Sequence, residues 1–299
     1  MHKYQIVLIR YFFGKEDKAR LKKDTAPQGV DIIRNQNYLG DGKNEHCFDV
    51  LFPQNTVGEL PTIFNIHGGA FVSSDKKIYD NYCRRLALEG YSVVNINYGL
   101  APKYVFPAHI LDCIAAINFA NANAEKYHIN PNNYYIVGDS AGGMISASIG
   151  LAASNLYYAR GIGAELKFKP KAIGLSCGQL DFDGELTTNK KFKHLDTYFG
   201  KKEKDYPPRR VYDIFANITK GFPPAFLTSC ADDPLLSDSL KFEQKLNEAG
   251  VKNKCLFYDE THNPLGHCYS YRWIHNSGLP MPEAIEAKDA MLEFFASVK

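Results

Sequence analysis

From residue 62 onward, short apolar runs alternate with stretches of helical periodicity. TIFNIHG (62–68), YSVVNINYG (91–99), NYYIVGDS (133–140), AIGLSCGQ (172–179), AFLTSCAD (225–232) and KCLFYD (254–259) read as buried strands. Residues 80–89, 108–127, 141–155, 236–249 and 283–297 read as helices. Helices set between such strands let them run parallel with both faces covered. The alternation therefore predicts a three-layer α/β domain built on a mostly parallel sheet. Upstream, QNYL and HCFDVLF flank the turn GDGKNE and predict an antiparallel start. Residues 183–222 break the rhythm, being charged and without a strand pattern, and residues 15–35 are also polar and charged, with a helix plausible around Lys15 to Lys23. The expected division is a core of 36–182 and 223–299, with 1–35 and 183–222 covering one end of the sheet.

Composition narrows the function. The 35 basic and 33 acidic side chains leave a charge of +2, which argues against nucleic acid or an acidic membrane as the main partner. Nineteen Tyr and nineteen Phe exclude a chain too polar to collapse. Ile6 to Ile9 look like a short signal core, but Arg10 interrupts them and no small-residue cleavage site follows. The uncharged stretch 140–159 carries Ser146, Ser148, Ser154 and Asn155, so it is read as a buried helix and no membrane insertion is expected. Seven cysteines, an odd count with no CxxC pair, point to free thiols in the cytoplasm. No phosphate loop, dinucleotide fingerprint or zinc motif is present, so neither cofactor nor metal is expected.

The chemistry centres on Gly138-Asp139-Ser140-Ala141-Gly142, a G-x-S-x-G pattern between an apolar strand and a helix. There it forms a sharp turn that exposes the serine hydroxyl. That hydroxyl is a weak nucleophile and needs a base, which in turn needs an orienting acid. Asp232 and Asp233 follow one later strand, and His262 and His267 follow the next. All of these strand ends lie on the edge of the sheet where open α/β sheets bind ligands. His67-Gly68-Gly69-Ala70-Phe71 follows a buried strand and can offer backbone N–H groups to a developing oxyanion. His67 itself precedes the serine and is read as structural.

HGGAF (67–71), NYGLAPKYVFPA (97–108), GDSAGG (138–143) and DDPLL (232–236) together resemble the hormone-sensitive-lipase-like group of α/β-hydrolases. The resemblance covers roughly residues 36 to 297. It implies an α/β-hydrolase fold with a small cap and a serine carboxylesterase acting on small esters through an acyl-enzyme. Ser140 would be the nucleophile, Asp233 the acid, and the amides of Gly69, Ala70 and Ala141 the oxyanion donors. His67, Gly68, Gly138, Asp139 and Gly142 would support the motifs. Two positions depart from the pattern: Ala70 replaces a third glycine, and His267-Cys268-Tyr269 replaces His-Gly-aromatic. His267 keeps the small-then-aromatic order, whereas His262 is nearer the usual spacing from Asp233, so both stay candidates for the base, with His267 preferred.

An amide or formamide hydrolase with the same residues, and a ligand-binding module without catalysis, are the rival readings. A homo-oligomer is compatible with the sequence. Charged groups in KKFKHLD and KKEKDYPPRR argue against an apolar lid that opens on lipid. Phe182, Phe192, Tyr198, Phe199, Tyr206 and Tyr212 are expected to narrow the acyl pocket for soluble short-chain esters.

Overall fold

The apolar runs become one eight-stranded sheet in the computed structural model, which describes residues 3–183, 194–262, 264–274 and 278–298. Its strands are β1 (Val30–Asn37), β2 (Cys47–Pro53), β3 (Leu60–Ile66), β4 (Ser92–Ile96), β5 (Ile129–Asp139), β6 (Ala172–Ser176), β7 (Ala225–Cys230) and β8 (Asn253–Tyr258). They lie in the order β1-β2-β4-β3-β5-β6-β7-β8. The pairs β1–β2 and β2–β4 are antiparallel, and every later pair is parallel. The fold is the α/β-hydrolase architecture.

Helices α1 (Lys3–Leu21), α2 (Asp80–Leu88), α3 (Ala108–Ala122), α4 (Ala124–Tyr127), α5 (Ala141–Ser154), α6 (Leu156–Ile162), α7 (His194–Phe199), α8 (Ile214–Asn217), α9 (Leu236–Glu248) and α10 (Pro282–Ala296) complete the chain. One face of the sheet packs Leu86 of α2 and Phe294 and Phe295 of α10 against Leu51, Ile63 and Val93. The other packs Ile114 and Ile117 of α3, Ile145 and Ile149 of α5, and Phe242 of α9 against Phe64, Ile136 and Ile173. Strands β4 and β6 are buried along their whole length, as central strands covered on both faces are, and can be mostly apolar without exposing that surface.

Two elements differ from expectation. Strand β1 begins at Val30, six residues before the expected Gln36. It is an edge strand with one partner, and VDIIRNQN keeps several side chains exposed, so it lacks the continuous apolar run that marks the central strands. Helix α1 starts at Lys3 and takes in the apolar segment before Lys15. The segment 140–159 forms the expected buried helix, α5, and continues into part of α6, and no helix among the described residues is long and apolar enough to cross a membrane.

Register places the chemistry. Ile66, Gly138, Leu175, Leu227 and Cys255 form one row across β3, β5, β6, β7 and β8. The loops that follow this row therefore leave the sheet along one edge. Arg10 of α1 crosses that edge, donating from Nε to the Val72 carbonyl at 2.7 Å and from Nη2 to the Ala101 carbonyl at 3.3 Å. Arg20 donates to the Tyr271 carbonyl at 3.3 Å.

Of the expected insertion 183–222, residues 184–193 lie outside the described residues, and Phe192 with them. The remainder forms α7, α8 and two short 3-10 turns. None of its described aromatic side chains, nor Phe182, lines the cavity over Ser140. Tyr198 packs 4.4 Å from Phe71, Phe199 lies 4.5 Å from Tyr206 and 4.9 Å from Tyr212, and Phe182 lies 5.0 Å from Tyr212. They meet one another because each ring buries more apolar surface in a cluster than at a wet cavity wall.

Candidate active site

The turn from β5 into α5 holds Ser140 at φ 49° and ψ −114°, a conformation few non-glycine residues adopt. Its amide donates to the Ser176 carbonyl at 3.0 Å, and its own carbonyl accepts from the Gln179 amide at 3.0 Å. Close packing explains the glycine after it. A Cβ at Gly142 would stand 2.1 Å from the Ile66 carbonyl oxygen, so α5 can approach β3 only with glycine there.

The Asp139 carboxylate ties this turn to the loop after β3. It accepts the Gly68 amide at 2.8 Å and the Tyr79 hydroxyl at 2.9 Å, all three groups being buried. His67 is buried, stacks on Tyr98 at 4.3 Å and contacts the Gly68 carbonyl through Nδ1 at 2.7 Å. Burial holds its imidazole below the ordinary value, against the pull of that hydrogen bond. Gly69 follows at φ 114°, where a Cβ would meet the Ser73 carbonyl oxygen at 2.2 Å. Ala70, which departs from the family pattern, still takes the left-handed conformation at φ 54°. An alanine there costs on the order of 1 kcal/mol relative to glycine. Among the described residues, the amides of Gly69, Ala70 and Ala141 have no backbone or side-chain acceptor, which leaves them free for a ligand. For Ala141 this follows from its place in the first turn of α5.

His267 reaches the serine. Its Nε2 lies 2.9 Å from Ser140 Oγ and its Nδ1 lies 3.1 Å from Asp233 Oδ1. Asp233 is buried and accepts the Leu235 amide at 2.7 Å and the Ser229 hydroxyl at 3.3 Å. Burial would raise its carboxyl, but the hydrogen bond and charge of His267, with hydrogen bonds from Cys177 and the Leu235 amide, together hold it below the ordinary value. Burial also opposes the imidazolium of His267, yet Asp233 and the neighbouring Cys177 sulfur raise it above the ordinary 6.5. His262 is exposed, with Nδ1 3.4 Å from Asp259, and the structure does not bring it to Ser140.

Two contributors, Tyr79 and Gln179, were not singled out from sequence, and the role of a third, Asp232, was not read. Asp232, named there beside Asp233 as a possible acid, instead accepts the Leu265 amide at 3.2 Å and the Gly266 amide at 2.8 Å, fixing the loop that carries His267. The doubled aspartate in DDPLL was the available signal. Tyr79 and Gln179 reach the cavity with no motif to mark them. That cavity, about 400 Å³, opens over Ser140 and His267 and is walled on its far side by Ile9, Glu16, Asp17 and Arg20 of α1. Burial raises the Asp17 carboxyl, although Arg20 and Arg272 pull it down.

Comparison with known proteins agrees with this geometry. The chain is 28% identical over 218 residues to versiconal hemiacetal acetate esterase of Dothistroma septosporum, covering 66% of this chain and 64% of that protein. It is 28% identical over 192 residues to acetyl esterase of Salmonella typhi, covering 62% and 59% of the two. The match thus spans about three fifths of these relatives' length. The structure of a tributyrin phosphonate-inhibited esterase B from Lactobacillus rhamnosis superposes with a TM-score of 0.87 at 20% identity, over 100% of this chain and 96% of that one. A family model described as alpha/beta hydrolase fold matches residues 63–265, the stretch from β3 to the loop before His267. The strand order, the serine turn and this match agree: the chain belongs to the alpha/beta hydrolase fold family.

Proposed function

We propose that the protein is a serine carboxylic ester hydrolase acting on short-chain esters through an acyl-enzyme. One observation carries the reading: the continuous hydrogen-bonded line from Ser140 Oγ through His267 to buried Asp233, at a serine held in a strained turn. In this reading Ser140 Oγ attacks the ester carbonyl while His267 Nε2 takes its proton. The carbonyl oxygen gains charge and is met by the amides of Gly69, Ala70 and Ala141. His267 then gives the proton to the departing alcohol and later draws one from water for deacylation. Asp233 keeps Nδ1 protonated and stabilises the imidazolium.

A cavity of about 400 Å³ suits a small ester. The relatives named for acetate esters and the tributyrin phosphonate complex support a short acyl group. Residues before β1 and the segment between β6 and β7 serve as the cap, and seven free cysteines fit a cytoplasmic setting. The test is kcat/KM across p-nitrophenyl acyl esters, with a matched anilide. The expected maximum lies at about two to six acyl carbons, with the ester far ahead of the anilide. A maximum at long chains, or an anilide turned over as fast as its ester, would overturn the assignment.

A further inference from the structure

Two cysteines that the proposed reaction does not use stand against its base. Cys177 follows β6 and is fully buried, and Cys268 directly follows His267. The Cys268 amide donates to Cys177 Sγ at 3.3 Å. Both sulfurs and a ring nitrogen of His267 lie within 4.8 Å of one another. The backbone is left-handed at both cysteines, φ 50° and 60°, an unfavoured conformation for either residue. His267 and Cys268 also line the cavity, so an ion can reach the cluster from the substrate side.

We propose that Cys177, His267 and Cys268 form a site for a soft divalent cation, Zn2+ in the first place, and that its occupation switches hydrolysis off. The donor set is the one zinc prefers, two thiolates and an imidazole, with the fourth position open to the cavity. Tetrahedral bonds of about 2.3 Å to sulfur and about 2.0 Å to nitrogen require the donors to draw together by roughly 1 Å. On binding, two S–H bonds give way to two Zn–S bonds, the protons leave to solvent, and no atom changes oxidation state. Two thiolates neutralise the ion, so the occupied site carries no net charge into the interior.

Inhibition follows from the ring nitrogens. Nδ1 is bonded to Asp233 and Nε2 to Ser140, so capture of either breaks one link of the line. The inhibitory part rests on the ester-hydrolase reading; metal binding does not. Reduced, metal-free protein is titrated with Zn2+ and, separately, with Co2+, in the wild type and in Cys177→Ala and Cys268→Gly. Each rate is compared with that variant's own metal-free rate. The wild type should lose ester turnover at one Zn2+ per chain and recover it on chelation. With Co2+ it should show the near-ultraviolet charge-transfer band of thiolate bound to cobalt. Each variant should need about 100-fold more Zn2+ and lose much of that band. Equal Zn2+ sensitivity in wild type and variants, or Co2+ bound without a thiolate band, would overturn the site. If a variant fails to fold, the wild-type cobalt spectrum decides alone. Absence of turnover in metal-free wild type would instead count against the hydrolase reading.

Discussion

The turn that carries Ser140 and the loop that carries His267 meet at 2.9 Å, but they are held in different ways. The serine turn is fixed by crowding: glycine is the only residue that fits between α5 and β3 at position 142. The histidine loop is fixed by hydrogen bonds from a distant element, the Asp232 carboxylate gripping the Leu265 and Gly266 amides. A Cβ at Gly266 would find its nearest neighbour at 3.7 Å, so the loop is not crowded at that position. Packing tolerates no change, whereas a pair of hydrogen bonds can be lost with a partial loss of order. The two halves of the site should therefore respond differently to mutation.

The largest effects come from the reacting groups. Ser140→Ala and His267→Ala should each lower kcat for a short ester by about 10⁴-fold or more, while His262→Ala leaves most of it. Steady-state kinetics checks both, and a large loss in His262→Ala with activity kept in His267→Ala would reverse the assignment. Next come the steric positions. Gly142→Ala should destabilise the protein by about 3 kcal/mol or more, since the new Cβ meets backbone that cannot swing aside. Chemical denaturation measures this, and Gly266→Ala, strained only by its φ of 80°, should cost about 1 kcal/mol.

Smaller effects test the hydrogen-bonded half. Asp232→Ala should lower kcat/KM about tenfold while global stability falls by only about 1–3 kcal/mol. Asp233→Asn should cost far more activity, because Asp233 and not Asp232 touches the imidazole. The smallest change is in pH dependence. His267 must be neutral to take the Ser140 proton, and Asp233 stabilises its protonated form. Activity should therefore rise with pH through an apparent pKa above 6.5, and Asp233→Asn should move that limb downward. A limb unmoved in the variant would mean that another group sets it.

The same contrast explains what the sequence could disclose. The central strands, α5 and the serine turn were legible because burial and crowding restrict which residues can stand there. The edge strand β1 was placed late, since VDIIRNQN has one partner and needs no continuous apolar run. The loop-holding role of Asp232 was not legible because its partners are backbone amides 33 and 34 residues away, and no spacing rule reaches across β8. The aromatic residues after Asp183 were assigned to the pocket from composition alone. Composition cannot say whether a ring faces a cavity or another ring, and the described ones, Tyr198, Phe199, Tyr206 and Tyr212, pack together. The choice between His262 and His267 turned on one atom-level contact, which only three dimensions supply.

Covalent labelling tests the central claim most directly. Intact protein is treated with a fluorophosphonate, digested, and the modified residue located by mass spectrometry. The account predicts one adduct per chain, on Ser140, formed far more slowly in His267→Ala and at nearly the wild-type rate in His262→Ala. Failure of the folded wild type to react, or an adduct on another residue, would contradict it.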